Sequence, residues 1–112
     1  MDAMGTETLP PLTPASFPDV GEIQIVKVLQ ALADPVRLDM VRQLAPADRE
    51  LSCGTFEVSV SKSTLTHHLR ILREAGVISS RQQGTTRFNS LRRNDLDALF
   101  PGLLDGVLAA PR

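Results

Sequence analysis

The sequence predicts a mainly α-helical fold with one small β-hairpin. In several segments, apolar residues recur at steps of three and four, as they do on the buried side of amphipathic helices. Gln83-Gly84 separates a strand that begins at Val77 from a second strand over Thr85 to Leu91, a pattern typical of a tight hairpin turn. The predicted order is helix, helix, short helix, helix, hairpin, helix, without internal repeats.

Length and composition limit the class of protein. The chain has 112 residues, which corresponds to one domain, with 42% apolar and 22% charged residues. The one cysteine, Cys53, excludes an internal disulfide. The first residues carry no basic leader, and no apolar run approaches the roughly 18 residues of a membrane span. We therefore expect a cytoplasmic protein without a membrane partner.

The charges are distributed unevenly along the chain. The net charge is only −1, but from Lys62 to Arg93 there are seven basic residues and one acidic residue, a net +6. The remainder carries five basic and twelve acidic residues, a net −7. This asymmetry favours a protein that presents one face to a polyanion, although a basic stretch can also be merely solvated.

The first half of the chain contains two predicted helices. Residues 1–18 include four of the eight prolines and predict a mobile arm that settles near Phe17, whereas residues 19–110 form the domain. Asp19 and Glu22 lead into a first helix that is apolar on more than half of its circumference. Asp34 ends that helix and caps the second one, with Pro35 at its first position.

The second half contains the strongest helical pattern. Between Glu50 and Val60, we expect one short turn and then an extended connection, because Gly54 and β-branched residues weaken a long helix. A clear helix follows over residues 61–75, and Gly76 suits its C-terminal cap. Asn94 is predicted to cap a final helix, which Pro101 should kink or break.

The helix over residues 61–75 has two distinct faces. When it is projected at the helical repeat, one side is apolar and includes Leu65, Leu69 and Leu72. The other side is polar and basic, and its residues are Lys62, Ser63, Thr66, His67, Arg70, Arg73 and Glu74, with Thr64 at the edge. Small hydroxyl residues followed by arginines suit close approach to base edges and phosphates, although an ordinary surface helix is also polar outside.

This segment, Ser61-Lys62-Ser63-Thr64-Leu65-Thr66-His67-His68-Leu69-Arg70-Ile71-Leu72-Arg73-Glu74-Ala75-Gly76-Val77-Ile78, resembles the recognition helix of the ArsR/SmtB family of winged-helix transcriptional regulators. Ala31-Leu32-Ala33-Asp34-Pro35-Val36-Arg37-Leu38 is similar to a second family signature, and Gly84 matches the tip of the wing. The resemblance covers about residues 21–109, and it implies a winged helix-turn-helix fold and a homodimer that binds an inverted-repeat operator in double-stranded DNA, with repression as the default.

The resemblance also implies the residues that contact DNA. Carried over position by position, Lys62, Ser63, Thr64, Thr66 and His67 would contact bases or the groove, with the recognition helix over about residues 61–75 in the major groove. Arg70 and Arg73 would contact phosphates. The wing over residues 79–90 would reach the backbone or the adjacent minor groove through Arg81, Gln82, Gln83, Thr85 and Arg87.

The resemblance further implies that the first and last helices join the two subunits. Both helices also carry more apolar surface than a monomer of this size is expected to cover, since apolar residues repeat along the whole of the last helix. The predicted interface residues are Ile23, Val26, Leu29, Leu99, Leu103, Leu104 and Val107.

The sensor site is not defined by the sequence. Family members that bind soft metals carry a Cys-x-Cys pair where this chain has Leu51-Ser52-Cys53-Gly54. Other members bind metal through histidine and acidic residues of the last helix, but this chain has no histidine after His68. The cysteine site and the site on the last helix, which other family members use for metals, are therefore both incomplete. A nickel or zinc effector stays open as an alternative. His67 is predicted to face outward, and His68 to be packed and hydrogen-bonded.

The sequence also bears on three other functions. An enzyme is excluded because Cys53 and the two adjacent histidines lack a third catalytic group and an oxyanion loop. A winged-helix module that binds protein predicts an apolar or acidic recognition face, which this helix does not have. A DNA-binding subunit whose effector, such as a transition metal, is sensed by a separate partner protein remains an alternative.

Overall fold

The computed structural model describes residues 17–46 and 49–111. Apart from Phe17 and Pro18, the predicted arm lies outside these residues. The described residues contain five α-helices and three β-strands, which confirms the predicted helices and hairpin and adds one strand. The helices are α1 (Ile25–Leu32), α2 (Pro35–Leu44), α3 (Lys62–Glu74), α4 (Arg93–Leu99) and α5 (Leu103–Ala109), and the strands are β1 (Glu50–Ser52), β2 (Ile78–Gln83) and β3 (Thr86–Leu91).

The turn between α1 and α2 forms as predicted. One carboxylate oxygen of Asp34 accepts hydrogen bonds from the backbone N–H groups of Val36, at 3.1 Å, and Arg37, at 3.0 Å. Pro35 occupies the first position of α2, where the N–H group that it lacks would have no partner within the helix. This cap sets where α2 begins after the end of α1.

The ends of α3 also agree with the prediction. The Ser61 hydroxyl caps the helix by accepting a hydrogen bond from the Thr64 N–H at 3.2 Å. Beyond the last turn, Gly76 adopts a φ of +88°, a left-handed conformation that residues with a Cβ rarely take. An ideal Cβ at this position would lie 2.6 Å from Cγ1 of Ile23, so glycine also permits close packing of the segment before α1.

The segment between α2 and α3 differs from its prediction. The expected short turn is a 3₁₀ turn over Cys53–Thr55, and an extended connection follows it. However, Glu50–Ser52 forms strand β1, which the sequence did not predict. Three residues are too few to carry an alternating pattern, and β1 exists because the edge of β3 is available for pairing.

The sheet is antiparallel, with the strand order β1-β3-β2. Its two outer strands are tied together through the central strand by a buried polar pair. The Ser80 hydroxyl donates to Oδ1 of Asn89 at 2.7 Å, and Nδ2 of Asn89 donates to the Leu51 carbonyl at 3.1 Å. The hairpin turn is Gly84-Thr85, one residue later than predicted, and Gly84 supplies the positive φ of +62°.

The C-terminal helix is interrupted near Pro101, as the presence of this proline predicted. Helix α4 ends at Leu99, and α5 begins after Gly102, which has a φ of +82°. The predicted cap at Asn94 is wrong, because α4 already begins at Arg93 with Arg92 at the N-cap position. Arg92 is held there by its guanidinium, which donates to the carboxylate of Asp95 at 3.0 Å and to the Pro18 carbonyl at 2.7 Å.

The core lies between the helices and one face of the sheet. Its fully buried side chains come from α1, α2, α3, the start of β2 and the two C-terminal helices; the largest are Met40, Leu44, Leu72, Ile78, Leu96 and Leu104. This packing buries one side of α3 and leaves the opposite side toward solvent. Within the described ranges, no helix is both long and apolar enough to cross a membrane.

Candidate nucleic-acid interface

Helix α3 presents most of its predicted contact residues on the surface. Leu65, Leu69 and Leu72 are buried beneath it. Thr66 is half-buried, and the exposed residues are Lys62, Ser63, Thr64, His67 and Arg70. The structure therefore brings these six side chains together along one helix, on the side opposite the core.

The first turn of this surface is ordered by hydroxyl groups. The Ser61 hydroxyl lies 2.9 Å from Oγ1 of Thr64 and 3.2 Å from Oγ of Ser63. These short contacts hold the small side chains close to the backbone of α3. A nucleic acid can consequently approach the helix closely at this end, because the side chains of this turn other than Lys62 are short.

The two histidines point in different directions, as predicted. His67 is exposed, and its Nδ1 lies 3.5 Å from a terminal nitrogen of Arg70. The side chain of His68 is 11% exposed, and its Nδ1 lies 3.2 Å from Nη1 of Arg37. His68 thus belongs to the packing between α3 and the preceding helices, and His67 belongs to the exposed surface.

Arg37 connects α3 to the helices that support it. Its Nε donates to the Ala31 carbonyl at 2.7 Å, and its Nη2 lies 3.3 Å from the Gln30 carbonyl at the end of α1. The Arg37 backbone N–H is also the main reason that the pKa of Asp34 is lowered, with the charges of Arg37 and His68 adding to the effect. This polar cluster fixes the position of α3 relative to α1 and α2.

Arg73 and Arg87 do not lie on the exposed surface, contrary to their predicted placement. Arg73 is 8% exposed and Arg87 is 9% exposed. Burial lowers the pKa of both guanidinium groups, and the charge of Arg87 lowers that of Arg73 further. Arg73 projects about 80° from Leu65 on the helix, at the border of the apolar side. At this border, Arg73 lines a cavity together with Arg87 of β3, and the projection alone assigned it to solvent.

The wing carries the remaining predicted contacts. Gln82, Gln83 and Thr85 are exposed around the tip. Arg81 is also exposed, but two of its nitrogens donate to the carboxylate of Glu50, each at 2.8 Å, and its guanidinium lies 4.8 Å from the centre of the Phe88 ring. The hydrogen bonds from Arg81 lower the pKa of Glu50, and they raise that of Arg81.

The sequence did not identify Glu50 or Asn89 as part of this region. Glu50 holds Arg81 of the neighbouring wing, and buried Asn89 connects β3 to β1. Both roles depend on the pairing of β1 with β3, and the separation of 31 residues between Glu50 and Arg81 gives no local signal. Only a prediction of strand β1 could have found these two residues.

The predicted subunit interface is exposed only in part. Val26, Leu29 and Leu99 are 58%, 46% and 37% exposed, and Leu103 and Val107 are half-buried. The placement of two other residues was wrong. Ile23 packs against Gly76, and Leu104 is buried in the core, so neither side chain is on the surface.

The candidate ligands for a metal are dispersed. In residues 17–46 and 49–111, no group of three His, Cys, Asp or Glu side chains is arranged to hold an ion. Cys53 is half-buried, and it lines a cavity together with His67 and three arginines. Cys53 therefore shares a cavity with basic side chains, which its neighbours in the sequence did not indicate.

Comparison with known proteins identifies the class of this fold. A helix-turn-helix domain family matches residues 32–81. The uncharacterized HTH-type transcriptional regulator YceK of Bacillus subtilis is 35% identical over 81 residues, which cover 70% of this chain and 81% of the relative. The arsenical resistance operon repressor of the same organism is 31% identical over 72 residues, which cover 63% of this chain and 69% of the relative.

A solved structure has the same fold. The transcriptional repressor BigR from Xylella fastidiosa is 29% identical, with a TM-score of 0.53 over 68% of this chain and 85% of that protein. Together, the helix-turn-helix, the hairpin and the exposed face of α3 define a winged-helix DNA-binding regulator and not an enzyme. The chain belongs to the ArsR/SmtB family of transcriptional regulators.

Proposed function

We propose that two copies of this chain form a homodimer that represses transcription by binding an inverted-repeat operator. In this proposal, α3 of each subunit lies in the major groove, and each wing contacts the backbone or the adjacent minor groove. The observation that carries the proposal is the exposed face of α3, which is polar and carries the basic side chains of Lys62 and Arg70. Two such helices reach successive major grooves when they lie about 34 Å apart across the two-fold axis.

The proposed roles of the side chains follow from their positions. Thr66 and His67 lie at the middle of α3 and would contact base edges, as would the small residues of its first turn. Arg70 is exposed and would contact a phosphate. A phosphate contact contributes to binding on every sequence, whereas a base contact contributes mainly on the operator.

The experiment on DNA contacts compares two variants with a control. Salt titrations of binding would use the DNA next to the protein's own coding region and an unrelated duplex. Arg70→Ala should weaken binding to both duplexes and reduce the salt slope by about 0.9. His67→Ala should weaken binding to the operator by about 1–3 kcal/mol and leave binding to the unrelated duplex unchanged. Arg49→Ala removes an exposed charge away from α3, and it should change neither the affinity for the two duplexes nor the salt slope.

The reverse pattern would contradict these roles. If Arg70→Ala acted only on the operator, or if it left the salt dependence unchanged, Arg70 would not be a phosphate contact. If wild-type protein bound both duplexes equally at every salt concentration, the proposal of sequence-specific binding would be refuted.

The proposed dimer uses the exposed apolar residues of α1 and α4. In a two-fold interface, Leu29→Asp places one charge from each subunit in an apolar contact, at a cost of about 3–5 kcal/mol. The dimer dissociation constant should therefore rise at least about a hundredfold in sedimentation equilibrium. Val20→Asp is the matched control, since Val20 is 44% exposed and lies outside both helices. A wild-type protein that is monomeric at micromolar concentration would refute the dimer.

A further inference from the structure

A cavity of about 330 Å³ lies between α3 and the sheet, beside the 3₁₀ turn. Cys53, Leu69 and Asn89 form part of its wall, and Arg70, Arg73 and Arg87 supply its charge. A single water molecule takes up about 30 Å³ of liquid volume, so the cavity has room for a small polyatomic ion together with water.

Arg73 lines this cavity, and its hydrogen bonding is incomplete. It is 8% exposed, and its Nε has no hydrogen-bond partner among the residues that the structure describes. A guanidinium carries five N–H donors in a planar fork that matches the oxygens of carboxylate and phosphate groups. A buried donor without a partner is costly, so the site is more favourable when an acceptor occupies it.

The charges around the cavity are of one sign. Arg87 is buried beside Arg73, and Arg70 is exposed and also lines the cavity. The charges of both neighbours lower the pKa of Arg73, in addition to the larger effect of burial. Among the described residues, only the charge of Glu74 raises the pKa of Arg73; Glu74 is exposed and does not line the cavity. Guanidinium groups remain protonated in proteins, so these charges persist at neutral pH.

We propose that this cavity is a binding site for a small free oxyanion, held by Arg73 and Arg87 with Arg70 at the entrance. The oxyanion would accept hydrogen bonds from Arg73 and offset the repulsion among the three guanidinium groups. A phosphate within duplex DNA is the other source of this chemistry. The depth of Arg73 and Arg87 favours a free ion, since a phosphate joined to a duplex stays at the protein surface.

The site would also regulate DNA binding, a consequence that rests on the proposed function. Thr66 and His67 line the same cavity and belong to the face of α3 that would contact DNA. An anion held behind this face adds negative charge close to the approaching phosphates and engages Arg70. Occupancy of the cavity should therefore weaken the binding of DNA.

Cys53 provides a local reporter, because it is the only cysteine in the chain and lines the cavity. The rate at which N-ethylmaleimide alkylates Cys53 would be measured without DNA, as inorganic phosphate replaces chloride at constant ionic strength. At a phosphate concentration ten times its Kd, alkylation should slow about tenfold, because the unoccupied fraction falls by that factor. Equal rates in phosphate and chloride would overturn the proposal.

Two variants and a control establish where the ion binds. Arg73→Gln should abolish the protection by phosphate, and Arg70→Gln should raise the phosphate concentration needed for it. Arg49→Gln removes an exposed positive charge outside the cavity and should keep full protection. If Arg73→Gln does not fold, Arg70→Gln still tests whether phosphate binds in the cavity, because the Arg70 side chain is exposed and its substitution leaves the core intact. Unchanged protection in the folded cavity variants would overturn the site.

Binding to DNA is measured separately in gel shifts, again with phosphate replacing chloride at constant ionic strength. Weaker DNA binding in phosphate, together with protection of Cys53, supports both the site and its regulatory effect. Protection without any DNA binding supports the site and refutes the proposed function. The alkylation of Cys53 would also be measured with DNA in chloride. If DNA slows this alkylation and phosphate does not, the free oxyanion is overturned as the occupant.

Discussion

The substitution Gly76→Ala tests how the end of the recognition helix is joined to the start of the domain. Gly76 follows α3 with a φ of +88°, and its Cα faces the side chain of Ile23. An added Cβ would lie 2.6 Å from Cγ1 and 2.9 Å from Cδ1 of Ile23, and 3.2 Å from Cγ of Pro18. Alanine at this position therefore meets both an unfavourable backbone conformation and a steric overlap.

The magnitude follows from these two costs. The left-handed conformation costs an alanine about 1–2 kcal/mol. Displacing Ile23 from a packed core adds about 1–3 kcal/mol. The unfolded chain loses entropy on the same substitution, which offsets about 0.4–1 kcal/mol. The free energy of unfolding should thus fall by about 2–4 kcal/mol.

Gly102→Ala is the matched control. Gly102 has a φ of +82°, nearly that of Gly76, but an added Cβ there meets no atom of the described residues within 4 Å. Its substitution should cost only about 1 kcal/mol, the net backbone effect. Both variants would be measured by urea denaturation at one protein concentration, since dimerisation makes apparent stability depend on concentration.

A double-mutant cycle isolates the contact with Ile23. In an Ile23→Ala background, Gly76→Ala should cost no more than Gly102→Ala, which gives a coupling energy of about 1–3 kcal/mol. If Gly76→Ala and Gly102→Ala were equally destabilising in the wild-type background, the steric reasoning would be wrong. If the coupling energy were zero while Gly76→Ala remained costly, another neighbour would be responsible.

Two further predictions concern the wing and the cap of α2. Glu50→Gln should release Arg81 for a phosphate and increase the salt slope of DNA binding by about one contact. Glu57→Gln, at another exposed glutamate, should leave the slope unchanged. An unchanged slope in Glu50→Gln would mean that Arg81 does not reach DNA. Asp34→Ala should lower the free energy of unfolding by about 0.5–2 kcal/mol at neutral pH, through loss of the cap. Because the pKa of Asp34 is lowered from 3.8 in the folded state, its carboxylate stabilises the fold above that pH, and this stabilisation is lost as the pH falls. The difference between wild-type and Asp34→Ala should accordingly narrow in urea titrations below pH 3.8, and a constant difference would contradict this account.

The helices and the exposed face of α3 were predictable because their signals are local. The apolar repeat over residues 61–75, the cap at Asp34 and the interruption at Pro101 each involve residues within one or two turns. Such features can be read from short stretches of sequence, because the residues that produce them are neighbours in the chain. The exposure of His67 and the packing of His68 followed from the same projection.

The sequence pattern could not predict features that depend on distant parts of the chain. Strand β1 needs the free edge of β3, and the ion pair between Glu50 and Arg81 needs that strand. Ile23 and Leu104 are apolar residues of the kind expected at a subunit interface, but the core of the same chain covers them. Hydrophobic periodicity identifies a side that must be buried, and it does not identify what covers that side.

The sequence by itself determined that the chain is helical with one hairpin, where α3 lies, and that its outward side is polar and basic. The tertiary structure alone decided which arginines remain on that side. Arg70 stays in solvent, whereas Arg73 and Arg87 are buried, because the fold brings Arg87 of β3 to the same cavity as the end of α3. Charge is carried by single residues and can be counted in a sequence, but burial results from contacts between segments, and only the folded chain brings those segments together.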